Sequence, residues 1–308
     1  MGARVAVIGD LPTDRADELR RTGATLVPAS EAADALVAWD LDVPAILAYL
    51  AQHTDLRWVH LRWAGVPTEI GAALVGRSTV LTNGSGAHGI PVAEYVAGVI
   101  LQHYKRFGEM RSGQTEARWL ANFTFRELRG SKVGIVGLGD LGLSIARVLL
   151  AFGVELRGLR RSGRALAEVA SVFTPAQLHA FLDHLDVLVV AAPLTAETIG
   201  LIGPDELARL APGALLVNVG RAAIVDENAL VQALESGQLG GAALDVFATE
   251  PLPPGSRLWR VPNVFISPHC ADATPQSLER GFHILKDNLE RFVQGRPLTN
   301  VVDTHLGY

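Results

Sequence analysis

Three polar side chains, Arg221, Glu250 and His269, each stand just after a late apolar segment of the chain. Taken singly, each is ambiguous: the histidine could be structural, the glutamate could lie in a solvated turn, and the arginine could only bind a phosphate. Together they supply what the reduction of a carbonyl group needs. A histidine can give a proton to the carbonyl oxygen, and a carboxylate beside it can fix its tautomer. An arginine can hold a carboxylate group and polarise the carbonyl.

A glycine motif earlier in the chain predicts a nucleotide site. An apolar segment, residues 133–136, runs into Gly137, Gly139 and Gly142, which have the spacing G-x-G-x-x-G, and a helical pattern follows from residue 141 to about residue 152. The first glycine permits a tight turn, the second lets the backbone approach a pyrophosphate, and the third lets helix and strand pack closely. The helix N-terminus offers N–H groups to the phosphates. The strand before and the helix after favour a dinucleotide site over a glycine-rich turn.

The end of the next predicted strand, residues 155–159, indicates which dinucleotide binds. NAD-binding folds carry an acid about twenty residues after the glycines, on the ribose hydroxyl. Here the strand ends at Arg160 and Arg161, with no acid at its tip. Arginine binds phosphate oxygens strongly, so the pattern favours NADP(H), with NAD(H) possible. The alternative is a solvated basic turn whose arginines pair with Glu155 and Glu168.

Short apolar segments alternate with helical patterns almost throughout, which is typical of an α/β protein. The expected strands are residues 4–8, 35–39, 58–61, 79–82, 133–136, 155–159, 187–191, 214–219, 241–246 and 264–266. The expected helices include residues 13–22, 46–52, 92–104 and 274–294, and residues 107–131 read as a polar, irregular connector. Near-continuous apolar strands indicate parallel sheets buried on both faces. Ligands of such sheets bind at the carboxyl ends of the strands, where the polar residues above fall.

Composition excludes several classes of protein. The 308 residues suffice for about two domains, and 49% of them are apolar. A net charge of −5 gives no reason to expect nucleic acid or an anionic membrane as partner. No apolar run reaches the ~18 residues of a membrane span. The single cysteine, Cys270, fits a reducing cytoplasm, and no His/Cys cluster has the spacing of zinc ligands, so we expect no metal.

Seven short motifs follow one another in the order that one family carries. They are Ala64-Gly65-Val66, Val92-Ala93-Glu94, Gly137-Leu-Gly-Asp-Leu-Gly142, Pro193-Leu-Thr195-Ala-Glu-Thr198, Asn218-Val-Gly-Arg221, Asp245-Val-Phe-Ala-Thr-Glu250-Pro251 and Ser267-Pro-His269. On these motifs the chain resembles the D-isomer-specific 2-hydroxyacid dehydrogenase family from about residue 58 to 274. It is similar in pattern to NADP-using glyoxylate/hydroxypyruvate reductase-like members.

The resemblance implies an NAD(P)H-dependent reduction of a 2-keto acid to a D-2-hydroxy acid. It implies that Arg221 binds the substrate carboxylate and keto oxygen, that His269 is the acid/base, and that Glu250 is its partner. Backbone N–H groups of Ala64 and Gly65 would hold the carboxylate. The implied cofactor-binding residues are Gly137, Gly139, Asp140, Leu141, Gly142, Arg160, Arg161, Ser162, Pro193, Thr198, Val219, Gly220 and Asp245.

The resemblance also implies two Rossmann-like or flavodoxin-like doubly wound domains, of which the substrate domain is discontinuous. The substrate domain would comprise residues 1–98 and 280–308, and the dinucleotide-binding domain residues 99–279. The helix at 274–294 agrees with this, because no strand follows it and it could return to the first domain. The family implies a homodimer formed through a connector at residues 104–131, which would bring Trp119 toward the partner's active site.

Two departures from the family pattern affect the pocket. After His269 the family usually runs small residues with a glycine, whereas this chain has Cys270-Ala271-Asp272-Ala273. Asp272 would put a charge near the nicotinamide end of the site. Ala222 stands where the family commonly has glycine, which narrows the turn and leaves Arg221 in place.

Two other functions fit the same fold. One is a formate- or phosphite-type dehydrogenase, against which Glu250 argues, because formate-using relatives replace the acid at that position. The other is a nucleotide-sensing binding protein that resembles the family's corepressors, which can retain all three polar residues. Turnover of 2-keto acids would separate the sensor from the enzyme.

Overall fold

The computed structural model describes residues 2–261 and 263–307. Residue contacts divide it into two units, Met1–His88 with Thr274–Tyr308, and Gly89–Ala273. The sequence predicted domain boundaries at 98/99 and 279/280. Both positions fall inside a helix, and the structure assigns each helix to a single unit because its buried face packs within that unit. Residues 1, 262 and 308, which the predicted domains include, lie outside the described residues.

The first unit contains a five-stranded parallel sheet among its described residues. Its strands are β1 (Arg4–Ile8), β2 (Thr25–Pro28), β3 (Ala35–Ala38), β4 (Trp58–Leu61) and β5 (Val80–Thr82). Its first helices are α1 (Thr13–Arg21), α2 (Val43–Gln52) and α3 (Thr68–Leu74). The strand order β2-β1-β3-β4-β5 is the flavodoxin-like doubly wound order.

The second unit contains a seven-stranded parallel sheet with the order β12-β11-β10-β9-β6-β7-β8 among its described residues. Its strands are β6 (Lys132–Val136), β7 (Glu155–Leu159), β8 (Ser171–Phe173), β9 (Val187–Val190), β10 (Ala214–Asn218), β11 (Leu239–Leu244) and β12 (Val264–Ile266). Its helices are α4 (Gly89–Tyr104), α5 (Phe107–Thr115), α6 (Asp140–Leu150), α7 (Leu178–Leu182), α8 (Pro204–Ala208) and α9 (Glu227–Glu235). The predicted α/β fold with two doubly wound sheets is confirmed.

The last helix, α10 (Pro275–Val293), packs on the first sheet. The side chain of Thr274 accepts a hydrogen bond from the N–H of Ser277 and so caps its N-terminus at 3.1 Å. The buried residues Phe282, Leu285, Leu289 and Phe292 share one core cluster with Val5, Val37 and Trp58 of the sheet. The first unit is therefore built from both ends of the chain.

The sequence missed three elements. Residues 107–131, expected to be irregular, begin with the helix α5, which was missed because its only buried residue is Gly113 and its surface is polar. The strands β2 and β8 have four and three residues and lie at sheet edges, where little burial imposes an apolar pattern. None of these elements carries a predicted catalytic or cofactor-binding residue.

A buried polar cluster lies in the first sheet between β4 and β5. His60 is fully buried, and its Nδ1 lies 2.8 Å from the hydroxyl of Thr82 on the neighbouring strand. The indole N–H of Trp58 donates to the same hydroxyl at 2.8 Å. Within the described residues, Nε2 of His60 is buried without a hydrogen-bond partner. Burial lowers the pKa of His60 from 6.5 to about 3, since no charge partner compensates for the lost hydration.

This cluster predicts a loss of stability in acid. The unfolded chain binds a proton at His60 below pH 6.5, whereas the folded chain binds it only near pH 3. The contribution of neutral His60 to the free energy of unfolding is therefore complete above pH 6.5 and is lost as the pH falls toward 3. The slope attributable to one such group is at most about 1.4 kcal/mol per pH unit. His60→Gln, which cannot titrate, should flatten the pH dependence of the urea unfolding free energy between pH 6.5 and 4. The exposed His305 offers the control His305→Gln, and equal slopes in both variants would contradict the prediction.

Candidate active site

The predicted catalytic residues follow three neighbouring strands of the second sheet. Because all its strands are parallel, their carboxyl ends share one edge. Arg221 follows β10, Asp245 directly follows β11, and His269 follows β12. The chain runs outward from β6 to β8 and then from β9 to β12, so the strand order reverses between the neighbours β6 and β9. Ligands of doubly wound sheets bind outside such a switch point.

His269 and Glu250 form a hydrogen-bonded pair. Nδ1 of His269 lies 2.8 Å from one carboxylate oxygen of Glu250, and the other oxygen accepts the N–H of Phe247 at 2.9 Å. A carboxylate only accepts, so Nδ1 carries the hydrogen and Nε2 is the nitrogen left for a ligand. The side chains are 47% and 37% exposed, so a ligand can reach them.

Arg221 lies in a turn that Asn218 holds. The Asn218 side chain accepts the N–H of Gly220 at 3.1 Å and donates to the carbonyl of Arg221 at 3.2 Å. Burial lowers the pKa of Arg221, and the negative charges of Glu250 and Asp272 oppose this shift. The site therefore combines a partly buried cation with two nearby acids. Asp272, the residue that departs from the family pattern, thus acts on the guanidinium.

The buried carboxylate of Asp245 organises the loop that contains His269. One of its oxygens accepts the hydroxyl of Ser267 at 2.6 Å and the N–H of Cys270 at 2.9 Å. The other oxygen accepts the N–H of Ala271 at 3.0 Å. Asp245 therefore binds the loop on both sides of His269. A contact between Asp245 and the cofactor remains a prediction.

The glycine motif leaves space where a pyrophosphate would bind. Gly137 has φ +91°, and a Cβ there would lie 2.6 Å from Cα of Ala192, while a Cβ on Gly142 would overlap the carbonyl of Gly137. A Cβ on Gly139 would meet nothing within 4 Å. Among the described residues no side chain caps α6, whose first residues are Asp140 and Leu141. The open space and the free helix N-terminus fit a dinucleotide phosphate.

Two acids near the basic turn after β7 pair with arginines outside that turn. Glu155 pairs with Arg157 at 3.3 Å, and Glu168 pairs with Arg147 at 3.1 Å. The two acids on which the solvated-turn alternative depends are thus engaged elsewhere. Arg160 is half-buried, whereas Arg161 and Ser162 are exposed. Arginine side chains at such a turn can bind an anionic group, and their contact with the cofactor remains a prediction.

Two further turns at the same edge contain predicted cofactor residues. The hydroxyl of Thr198 donates to the carbonyl of Pro193 at 2.8 Å and holds the turn that follows β9. Val219 is buried, and a Cβ on Gly220 would lie 2.9 Å from the carbonyl of Ala192, so this position requires a glycine. These residues shape the edge of the sheet, and their contacts with the cofactor remain predictions.

Ala64 and Gly65 lie in the first unit, after the carboxyl end of β4. The carbonyl of Ala64 accepts the side-chain amide of Asn83 at 2.6 Å, and the N–H of Gly84 donates to the carbonyl of Trp63 at 2.9 Å. The N–H groups of Ala64 and Gly65 donate to no described group of the chain. They are available to an anionic ligand.

Sequence reasoning gave no role to three residues that position the catalytic side chains. Asn218 ends the buried strand β10, and Ser267 is a buried polar residue directly after β12, so their positions at strand ends could have singled them out. Phe247 contributes only its main-chain N–H to Glu250, which no side-chain pattern reveals.

Comparison with known proteins identifies the family. A family model described as D-isomer specific 2-hydroxyacid dehydrogenase, NAD binding domain, matches residues 97–271, more than half of the chain. The chain belongs to the D-isomer specific 2-hydroxyacid dehydrogenase family. This confirms the resemblance that the motifs indicated.

Relatives of this dehydrogenase include curated enzymes and solved structures. A glyoxylate/hydroxypyruvate reductase A from Serratia proteamaculans (strain 568) is 39% identical over 223 residues, 70% of this chain and 68% of the relative. A D-isomer specific 2-hydroxyacid dehydrogenase from Xanthobacter autotrophicus Py2, solved with NADPH and MES, is 30% identical over 100% of both chains, with a TM-score of 0.85. An NADPH-dependent glyoxylate/hydroxypyruvate reductase from Sinorhizobium meliloti, solved with NADP and sulfate, is 28% identical, with a TM-score of 0.85, over 99% of this chain and 100% of that chain.

The described residues of this dehydrogenase contain neither a candidate metal site nor a candidate membrane-spanning helix. No group of three or more His, Cys, Asp or Glu side chains among residues 2–261 and 263–307 could hold a metal ion. None of the helices described is both long enough and apolar enough to cross a membrane.

The basic turn of this dehydrogenase predicts its cofactor preference. Arg160→Ala combined with Arg161→Ala should raise the Kd of NADPH about 100-fold, because charge-assisted hydrogen bonds to a 2′-phosphate are lost. The Kd of NADH, which lacks that phosphate, should change little. Fluorescence titration with both nucleotides measures this. Arg209→Ala, which removes an arginine paired with Asp183, is the control. An equal loss of affinity for NADH would contradict the prediction and favour the alternative that the two arginines belong to a solvated turn.

Proposed function

We propose that this dehydrogenase reduces a small 2-keto acid to the D-2-hydroxy acid with NADPH. The observation that carries the proposal is the His269–Glu250 pair, at 2.8 Å, together with the guanidinium of Arg221 at one sheet edge. The substrate class is that of glyoxylate, hydroxypyruvate and larger 2-keto acids.

Arg221 binds the substrate in this proposal. A guanidinium presents parallel N–H donors that match a carboxylate, and it can also polarise the adjacent keto oxygen. Its partial burial strengthens both interactions, because little water competes for the donors. Donors aimed at a developing oxyanion contribute about 10²–10³-fold to the rate in other enzymes.

His269 supplies the proton in this proposal. Nε2 of the protonated ring donates to the keto oxygen as the carbonyl carbon is reduced, and the ring returns to its neutral form with the hydrogen on Nδ1. The carboxylate of Glu250 accepts the hydrogen bond from that Nδ1–H and so fixes the direction of the ring. Glu250 itself stays in place through its second bond, to the N–H of Phe247.

NADPH supplies the hydride when it is bound. Support for NADP(H) comes from Arg160 and Arg161 in the turn after β7 and from NADPH or NADP in two solved relatives. NAD(H) remains a second cofactor that the same fold can hold. In the proposal, the open space over Gly139 and the N-terminus of α6 accommodate the pyrophosphate.

The first unit contributes to substrate binding in this proposal. The N–H groups of Ala64 and Gly65, which donate to no described group, are assigned to the substrate carboxylate. Backbone donors suit this role because they are rigid and bring no bulky side chain.

We propose that the protein is a homodimer formed through residues 104–131. Support comes from large apolar side chains exposed in this segment, Phe107, Trp119 and Phe125, of which Trp119 is 93% exposed. Exposed aromatic side chains are enriched at protein interfaces. The proposal of a cytoplasmic location rests on the single cysteine, Cys270, and that of no nucleic-acid partner on the net charge of −5.

Turnover tests the function. NADPH oxidation should be observed with at least one of glyoxylate, hydroxypyruvate, pyruvate and longer 2-keto acids. His269→Gln should lower kcat about 10²–10⁴-fold, because the general acid is lost, and should leave the Kd of NADPH unchanged. His179→Gln is the matched control, since His179 also pairs with a glutamate, Glu206, at 2.9 Å. Tight NADPH binding without turnover would favour the nucleotide sensor, and oxidation of formate or phosphite would favour the other alternative.

Sedimentation equilibrium tests the dimer. The purified protein should have twice the 32.8 kDa mass of the chain. Phe107→Ser combined with Trp119→Ser should shift it toward the monomer, since apolar area at the interface is lost. Trp259→Ser, which changes an exposed tryptophan outside the segment, should leave the mass unchanged. A monomeric wild-type protein would contradict the proposal.

A further inference from the structure

The loop that carries His269 has an unusual backbone that something must hold. His269 has φ +50°, in the left-handed region, where residues other than glycine are uncommon. Its N–H donates to the carbonyl of Ser267 at 3.0 Å, so the chain turns tightly at Pro268. Asp245 bonds the loop before His269, at Ser267, and after it, at Cys270. The direction of the imidazole therefore depends on the position of this carboxylate.

Tyr95 of α4 adds one more hydrogen bond to the pair formed by Ser267 and Asp245. Its phenolic oxygen lies 2.6 Å from the hydroxyl oxygen of Ser267. The single hydrogen of Ser267 is donated to Asp245, so Tyr95 must be the donor to Ser267. Burial raises the pKa of Tyr95 to about 12, which keeps the phenol protonated and able to donate throughout the neutral range. The ring also packs on Phe265 of β12, with ring centroids 6.5 Å apart.

We propose that Tyr95 is a positioning residue for His269 and acts through Ser267 and Asp245. The inference rests on the proposed function, in which Nε2 of His269 gives the proton. The phenol donates to the Ser267 oxygen, the Ser267 hydroxyl donates to the Asp245 carboxylate, and that carboxylate accepts the two N–H groups that follow His269. A general acid must be held in a productive geometry, and a misplacement of about 1 Å can cost about 10²-fold in rate.

A second tyrosine on α4 offers an internal comparison. Tyr104 is buried, whereas Tyr95 is half-buried, and the hydroxyl of Tyr104 donates to a serine, Ser131, at 3.3 Å. This pair contacts neither Asp245 nor the loop that contains His269 in the described residues. Tyr95→Phe and Tyr104→Phe therefore each delete one phenol–serine hydrogen bond made by the same helix. Only the first should affect the position of His269.

The first experiment compares these two variants kinetically. Tyr95→Phe should lower kcat about 10-fold and leave the KM of the 2-keto acid within about 2-fold, because ground-state binding by Arg221 is intact. The solvent isotope effect on kcat should rise, since proton donation becomes slower relative to the other steps. The Kd of NADPH and the melting temperature should match those of Tyr104→Phe. Identical kcat values in the two variants would overturn the proposal.

Variants of Ser267 test whether Tyr95 acts through this serine. Ser267→Thr retains a hydroxyl and should keep kcat near the wild-type value, whereas Ser267→Ala should lose about as much as Tyr95→Phe. The double variant Tyr95→Phe with Ser267→Ala should be no slower than Ser267→Ala alone, because both interrupt the same chain of hydrogen bonds. If the loss of kcat in the double variant equals the product of the two single losses, Tyr95 acts independently of Ser267, and the proposal is overturned.

A measurement without turnover separates this inference from the proposed function. The ring nitrogen resonances of His269, assigned by their absence in His269→Gln, should move in Tyr95→Phe and stay in place in Tyr104→Phe. If the wild-type chain reduces no 2-keto acid and this pattern is still observed, the proposed function fails and the positioning by Tyr95 stands. Unmoved resonances in Tyr95→Phe overturn the positioning role even in an active enzyme.

Discussion

The buried carboxylate of Asp245 is the interaction on which the geometry of the catalytic loop depends. A carboxylate removed from water is costly unless hydrogen bonds replace its hydration, and here one hydroxyl and two backbone N–H groups do so. All three donors belong to the loop after β12, so the bonds that make the burial tolerable also hold His269 at φ +50°. Stability and catalytic geometry thus come from the same contacts.

The parallel arrangement of the second sheet explains why so few contacts are needed. β10, β11 and β12 are neighbours, so the residues after them meet without long connections. Asn218 holds the first turn, Asp245 joins the second strand to the third, and Phe247 positions Glu250. Each predicted catalytic side chain therefore has its own polar support within three residues of a strand end.

The nucleotide half depends on packing rather than on polar support. Gly137 and Gly142 allow the turn after β6 and the first turn of α6 to approach each other, and Gly139 leaves open space beside the helix N-terminus. The arginines after β7 are differently placed, on a turn whose neighbouring acids, Glu155 and Glu168, pair with other arginines. In the proposed function, the glycines would accommodate the pyrophosphate by shape, and the arginines would recognise the 2′-phosphate by charge.

Much of this protein could be predicted from its sequence. The apolar strands, the glycine spacing and the basic turn are local patterns, so the fold class, the family and the NADP(H) preference followed from them. The helix α5 and the strands β2 and β8 could not be predicted, because little burial leaves little periodicity. The sequence by itself determined which residue types stand at the strand ends. Only the tertiary structure decided that Glu250 faces Nδ1 of His269 and that Tyr95 reaches Ser267, because these partners are 19 and 172 residues apart and only the folded sheet brings them together.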